Sequence, residues 1–370
     1  MATTFKTFSS NDITSTRTLL HEAIPITGTL ISGTYGTYPT GTHIKDFSHG
    51  MYQSVYDYPY LSSSANHIFD VSVGYASASL FSASANAQNS KKINMYNTFA
   101  QVLNGVDVTG NVKPFQFPGG DPIHEAYFIS FSRLLVKDEI KKGSFSMTFC
   151  TASEFRDANF FKQLKKYTDN NAQNNFYTDS PAGEYAVVTG SEVDTSTAAA
   201  AALRSTVANG ENANGAGLLY YQAGVLVLSA SHSMMRIMSA SNDIVGPFTN
   251  TSTANPGTML MFLTGANISS STNAFRHRIQ EVSFNNTTEL NSTIHFCRAN
   301  HNDFNYSSNP TYLSESKIRV KNSSLDQPVS YITSVGLYSS DNELLAVAKL
   351  SEPIKKTPDT ELTMRVRLDY

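Results

Sequence analysis

The chain reads as a mainly β protein with a few short helices, built from β-sandwich-like modules and closing on a C-terminal strand inserted in a sheet. Three observations predict this. Leu362, Met364, Val366 and Leu368 alternate with Thr363, Arg365, Arg367 and Asp369, and a period of two marks a strand with one dry and one wet face. Just upstream, the β-rich run Tyr331–Tyr338 and the apolar run Glu343–Leu350 flank the turn Ser339–Asn342, and a charged, proline-punctuated loop over 351–360 leads into the last strand. Between 258 and 320, short apolar runs alternate with turn residues at the spacing of a sandwich.

Taken in order, Asn11-Asp12 suits a helix cap before Ile13–Ala23, with Pro25 as its stop. From 27 to 60 the Gly-, Tyr- and Thr-rich chain reads as short strands and turns. Phe69–Val73 is a strand, followed by a Ser/Ala stretch that reads as a mobile loop or as an arm ordered on a neighbour. Lys92–Asn104 is a helix with Ile93, Tyr96, Phe99, Ala100 and Leu103 on one face, stopped by Asn104-Gly105. Ala126–Val136 and the alternating Phe145, Met147, Phe149 read as two strands of a hairpin joined by the charged turn 137–143.

Thr151 and Glu154 make a capping box for a helix through Tyr167, with acids early and lysines late as the helix dipole favours. Asp194 precedes a second capped helix through the alanines 198–202. Leu218–Ser229 is the most apolar segment and reads as a central hairpin or pair of strands. Strands are expected at 258–263, 275–284, 292–297 and 316–320. The expected organisation is an α+β domain over 1–170, an Asn/Ala-rich insertion or linker over 171–215 and a β-sandwich-like domain over 216–370.

At 370 residues there is room for two domains, or for one large β domain with insertions. Only 15% of residues are charged, so the surface is polar but weakly charged and suits stable contact with neighbours. A net charge of −3 recommends neither a nucleic-acid nor an anionic-membrane partner. Cys150 and Cys297 read as two buried thiols, and the start of the chain shows no signal-peptide core, so folding in a cytoplasm is expected.

No phosphate loop, nucleophile elbow or zinc-helix motif is present, so the expected chemistry is non-enzymatic, with no cofactor. Gly33, Gly36 and Gly41 lack the Lys-Ser/Thr ending of a phosphate cradle and read as tight turns. The candidate metal ligands are His295, Cys297, His301 and Asp303; on a strand, His295 and Cys297 share a face. The competing reading makes Cys297 core and the others a polar loop. Arg276 and Arg278, with His277 opposite, suit a phosphate, a partner's carboxylates or a salt bridge to Glu281; Arg365 and Arg367 are judged likewise. His21-Glu22 and His124-Glu125 are acid–base pairs without a third member. Tyr52, Tyr56, Tyr58 and Tyr60 fit a sugar platform, a protein interface or core, and the absence of Trp favours interface or core. Asn250, Asn267, Asn286 and Asn291 begin Asn-x-Ser/Thr triplets that follow from composition.

The pattern from Ser334 to Leu350 resembles one found in tail, baseplate and fibre-attachment proteins of bacteriophages. Together with Lys91–Tyr96, Phe128–Phe145 and Phe304–Pro310, it makes most of the chain similar to virion structural proteins of large contractile-tailed phages, particularly those infecting marine cyanobacteria. The resemblance implies a structural part of the virion, in the tail or baseplate and with fibre attachment as one role, assembled in the host cytoplasm. The implied partners are other virion proteins and further copies of itself, with no nucleic acid and no membrane. The alternatives are a receptor- or carbohydrate-binding adhesin, a head or neck decoration protein, and an envelope hydrolase with paired carboxylates or a metal.

Overall fold

The computed structural model describes residues 5–27, 42–79, 87–120, 122–150, 164–192, 215–230, 263, 267–276, 279–306, 313–314, 317–318, 325 and 327–370. The chain divides into two compact units, His21–Thr288 and the pair of segments Met1–Leu20 and Glu289–Tyr370. The expected linker over 171–215 is therefore corrected. Its described residues hold two strands of one sheet, because Tyr185, Ala186, Val187 and Val188 each find a partner in the strand that follows.

In chain order the larger unit takes up the end of β1 (Ile13–Thr27), then β2 (Ile44–Asp46), β3 (Gln53–Tyr56), β4 (His67–Tyr75) and helix α1 (Ala87–Leu103). Next come β5 (Glu125–Phe131), the single-turn α2 (Arg133–Val136), β6 (Glu139–Ile140), β7 (Ser146–Cys150), β8 (Leu164–Thr168), β9 (Tyr177–Ser180) and β10 (Gly183–Glu192). It closes with β11 (Gly215–Tyr220), β12 (Val225–Ser229), α3 (Ile268–Arg276) and the first half of β13 (Ile279–Ala299). From β13 the sheet order is β7, β8, β10, β11, β12, β5, β4, β3, β2. The expectation of a mainly β fold with few helices holds.

The middle of that sheet is dry on both faces. β11 and β12 are buried throughout, and β5 nearly so. On one face Phe128, Val227 and Leu218 pack under α1, with Phe99 stacked on Phe128 at 4.3 Å between ring centres. On the other, Tyr127, Ile129, Leu219 and Leu228 form a larger core with α3, where Tyr127 stacks on Phe275 at 4.5 Å. Apolar runs without alternation are what a doubly covered strand demands. The sheet also curls. Phe131 of β5 lies 5.1 Å from Phe284 of β13 and 6.1 Å from Phe145, although several strands separate them in the sheet. β6 completes the turn by pairing Ile140 with Asn286 and Glu139 with Thr287. Facing halves of one sheet thus share a core in the manner of a sandwich.

Helix α1 approaches β4 closely because Gly74 has no side chain. A Cβ there would meet the Lys92 carbonyl oxygen at 2.5 Å and the Tyr96 nitrogen at 2.8 Å. The helix buries Lys92, Met95, Tyr96, Ala100 and Leu103, close to the expected face but rotated toward Lys92. Gly105, at φ +76°, ends it as expected.

Several local expectations are corrected. Ile13–Ala23 is strand, not helix: Ile13, Thr14, Thr16 and Thr18 are β-branched and stiff at χ1, and an edge position tolerates Pro25. The run 126–136 makes no hairpin with 145–149. It stops at Ser132, turns once as α2 and breaks at Lys137, whose φ is +61°, while β5 pairs with β4 and β12. Leu164–Tyr167 is strand, and Tyr167 sits between Met147 and Gly190 in the ladder. Phe275 and Arg276 end α3, which Asn267 caps through the Ser270 amide at 2.7 Å. Residues 28–41, 151–163, 193–214 and 231–262 hold the glycine turns, most of the capping-box helix, the alanine helix, Asn250 and most of the 258–263 strand. They lie outside the described residues.

The smaller unit is built from the start of β1, the end of β13, and β14 (Leu313–Ser314), β15 (Lys317–Ile318), β16 (Ser330–Tyr338), β17 (Leu344–Lys356) and β18 (Leu362–Asp369). β18 lies antiparallel along β13, with Val366 opposite His295, so the closing strand is in a sheet as expected. β16 and β17 form a separate two-stranded sheet, and β17 runs on through Pro353 to Lys356 where a loop is expected.

Candidate functional site

Among the described residues of the larger unit, polar side chains gather around Asp70, Asp169 and Lys92. Ser54, His67 and Asp70 have the residue types of a hydrolytic triad, but both partners contact the same oxygen. The Ser54 hydroxyl donates to Asp70 Oδ1 at 2.5 Å, and His67 Nε2 lies 2.9 Å from that atom. A nucleophile needs its proton taken by the imidazole, so the order is wrong for activation. Asp169 is buried and accepts from the Gly143 and Phe145 amides at 2.8 and 2.9 Å and from the Tyr221 hydroxyl at 2.9 Å. Burial pushes its carboxyl up, and the three donors partly offset that. Its work is to hold the 141–145 turn. Gln222 bridges nearby, donating to Glu139 at 3.0 Å and accepting from the Glu184 amide at 2.7 Å, while Lys142 pairs with Glu184.

Lys92 is 1% exposed; its ammonium donates to the Leu263 carbonyl at 2.5 Å and lies over the Tyr75 ring. Desolvation lowers it to about 8. The acid–base pairs come apart: Glu22 faces Lys137 and His21 faces Asn286 and Thr287, while Glu125 accepts from Ser79 at 2.6 Å. Arg276 is buried on α3 and donates to Asn273 at 2.9 Å, so it is not on an exposed strand face; 277–278 lie outside the described residues. Tyr56 packs on Tyr60 and on His67, Tyr52 joins Phe47 and His49, and Tyr58 alone of the four is exposed.

The four candidate metal ligands are spread over the smaller unit. His295 and Cys297 stand opposite Val366 and Met364, on the dry face of β18, and the His295 ring packs on Phe8 at 5.3 Å. Burial, with the Asp12 carboxylate nearby, raises the Cys297 thiol. His301 lies 3.5 Å from Glu361, and Asp303 accepts from Lys6 at 2.6 Å. Among the described residues no group of three or more His, Cys, Asp or Glu is placed to hold a metal ion. Of the arginines on β18, Arg367 pairs with Asp369 at 2.6 Å. The Cys150 side chain lies outside what the structure describes.

What distinguishes the smaller unit is its apolar surface. Among the described residues, 15 of the 22 exposed large apolar side chains belong to it, although it is much the smaller of the two. Among its described residues the buried apolar side chains are Ala299, Leu337 and Val366. The hairpin of β16 and β17 has one half-buried face, carrying Ile332, Val335, Ala346, Ala348 and Leu350. Its other face displays Tyr331, Tyr338, Leu345 and Val347, with Phe5 packed on Tyr338 at 4.8 Å. A monomer seldom leaves so dense an apolar set in water unless another protein covers it. Of the tyrosines singled out in the sequence, Tyr52, Tyr56 and Tyr60 are half-buried against other rings, and the apolar side chains of this hairpin were not among the candidates. The signal that could have found these is the pair Leu344-Leu345 on a strand already apolar on its other face.

Comparison with family models, with curated proteins and with solved structures found no match to the chain.

Proposed function

We infer that the protein is a non-enzymatic structural component of a tailed-phage virion, in the tail or baseplate, working through protein–protein assembly contacts. The observation that carries the assembly half is the smaller unit: long strands that, among the described residues, bury three apolar side chains and carry an apolar outer face. Ordering a hairpin of this length costs conformational entropy that so small a core offsets poorly, whereas burial against a neighbour supplies the missing area. The virion half rests on the sequence resemblance carried by Ser334–Leu350, which is the same hairpin.

The test is quantitative mass spectrometry of purified phage particles encoding this chain. The expected result is a copy number that is an integer multiple of the tail symmetry. Absence of the chain from particles, with abundant free protein in the infected cell, would overturn the reading.

A further inference from the structure

We propose that the outer edge of β17 pairs, antiparallel, with the same edge of a second copy of this chain, about a twofold axis at Ala346. This deepens the assembly reading and rests on it. β16 and β17 form a sheet of two strands, so among the described residues β17 keeps one long edge without a strand partner. An edge of unpaired N–H and C=O groups recruits another strand unless it is charged, bulged or covered. Here Leu344, Leu345 and Val347 are 53%, 68% and 53% exposed.

The partner follows from charge and symmetry. The segment Glu343–Lys349 is apolar inside and oppositely charged at its ends, and both end residues are exposed. A twofold axis normal to the sheet keeps every side chain on its own face, so opposed residues differ by an even number. Centred on Ala346, that rule sets Glu343 opposite Lys349 twice, Leu344 opposite Ala348 and Leu345 opposite Val347. Moving the axis to Val347 sets Glu343 opposite Ser351 and loses both ion pairs, and moving it to Leu345 sets Glu343 opposite Val347 and leaves Lys349 only Asp341, which lies in the turn before β17. Sliding farther brings Pro353 into the ladder, where it has no N–H to give. The β16 edge holds no charged residue from Ser330 to Tyr338 and specifies no register this way.

Sedimentation equilibrium of the full chain tests the pairing. The wild type is expected to dimerise. Glu343→Lys and Lys349→Glu alone should each weaken the dimer about tenfold, since each creates two like-charge pairs, and the double exchange should restore it. As a second readout, Ala346→Cys places two thiols on strands about 5 Å apart, within disulfide reach, and should give a covalent dimer under mild oxidation. Thermal melting of the Glu343 and Lys349 variants, taken at a concentration where every chain is monomeric, should match the wild type, because both side chains are exposed. A monomer at concentrations up to about 100 µM, a dimer indifferent to both reversals, or an Ala346→Cys chain that stays uncrosslinked would overturn the pairing. A chain that is monomeric alone yet present in particles overturns this inference and leaves the assembly reading standing. Absence from particles overturns that reading whatever the chain does in solution.

Discussion

The two units solve the problem of burying strands in opposite ways. In His21–Thr288 the sheet is covered on both faces and curls onto itself, so β5, β11 and β12 are dry almost residue by residue. In Met1–Leu20 with Glu289–Tyr370, β16, β17 and β18 each keep an accessible side, and β17 alternates between exposed and half-buried from Leu345 to Ser351. Long strands without a second layer are stable when something else supplies that layer. The larger unit buries its own strands, and the smaller leaves an apolar face that the proposed assembly would cover.

Substitutions sharpen the contrast, beginning with the deepest. Phe128→Ala removes a ring packed on Phe99, Tyr96 and Phe115, and should cost about 4 kcal/mol in denaturant unfolding. Asp169→Ala leaves the Gly143 and Phe145 amides and the Tyr221 hydroxyl without their acceptor; about 3 kcal/mol is expected by the same measurement. Gly74→Ala forces α1 off β4 and should cost about 2 kcal/mol, visible as a lower melting temperature. Leu345→Ala, by contrast, should change the unfolding free energy of the isolated chain by less than about 0.5 kcal/mol. A large loss there would mean the hairpin is already covered within one chain.

The pH dependence gives a smaller effect. Burial lowers the Lys92 ammonium from 10.5 to about 8, so between those values the unfolded chain binds the proton that the folded chain has released. Stability from this group must then rise with pH across that window, as the burial penalty on the charged form is relieved. Lys92→Met should abolish that rise in melts taken from pH 7 to 10. An unchanged slope in the variant would show that other groups produce it.

Much of this architecture is legible in the sequence where one residue pattern decides the outcome. The alternation from Leu362 to Asp369 places β18, the apolar run around Leu218–Ser229 gives the central strand pair, and Asn104-Gly105 ends α1. It is illegible where distant residues decide. β6 exists because Ile140 meets Asn286, and no local signal announces that pairing. Ile13–Ala23 carries a respectable helix start and becomes strand because β13 offers it a ladder. Helix α3, with Ile268 and Phe275 among serines, shows too few apolar positions to announce a face. The site follows the same rule. Low charge suits the proposed contact role, yet which unit exposes its apolar side chains depends on how much each one buries. His295 and Cys297 share a face as expected, and the residues opposite them, Val366 and Met364, make that face apolar.

Hydrogen exchange of the full chain, free at low concentration and then within assembled particles, tests the division of labour most directly. The amides of Ser330–Lys356 should exchange quickly in the free chain and become strongly protected on assembly, while those of β5, β11 and β12 stay protected in both states. Equal protection of the hairpin in both states, or new protection confined to His21–Thr288, would contradict it.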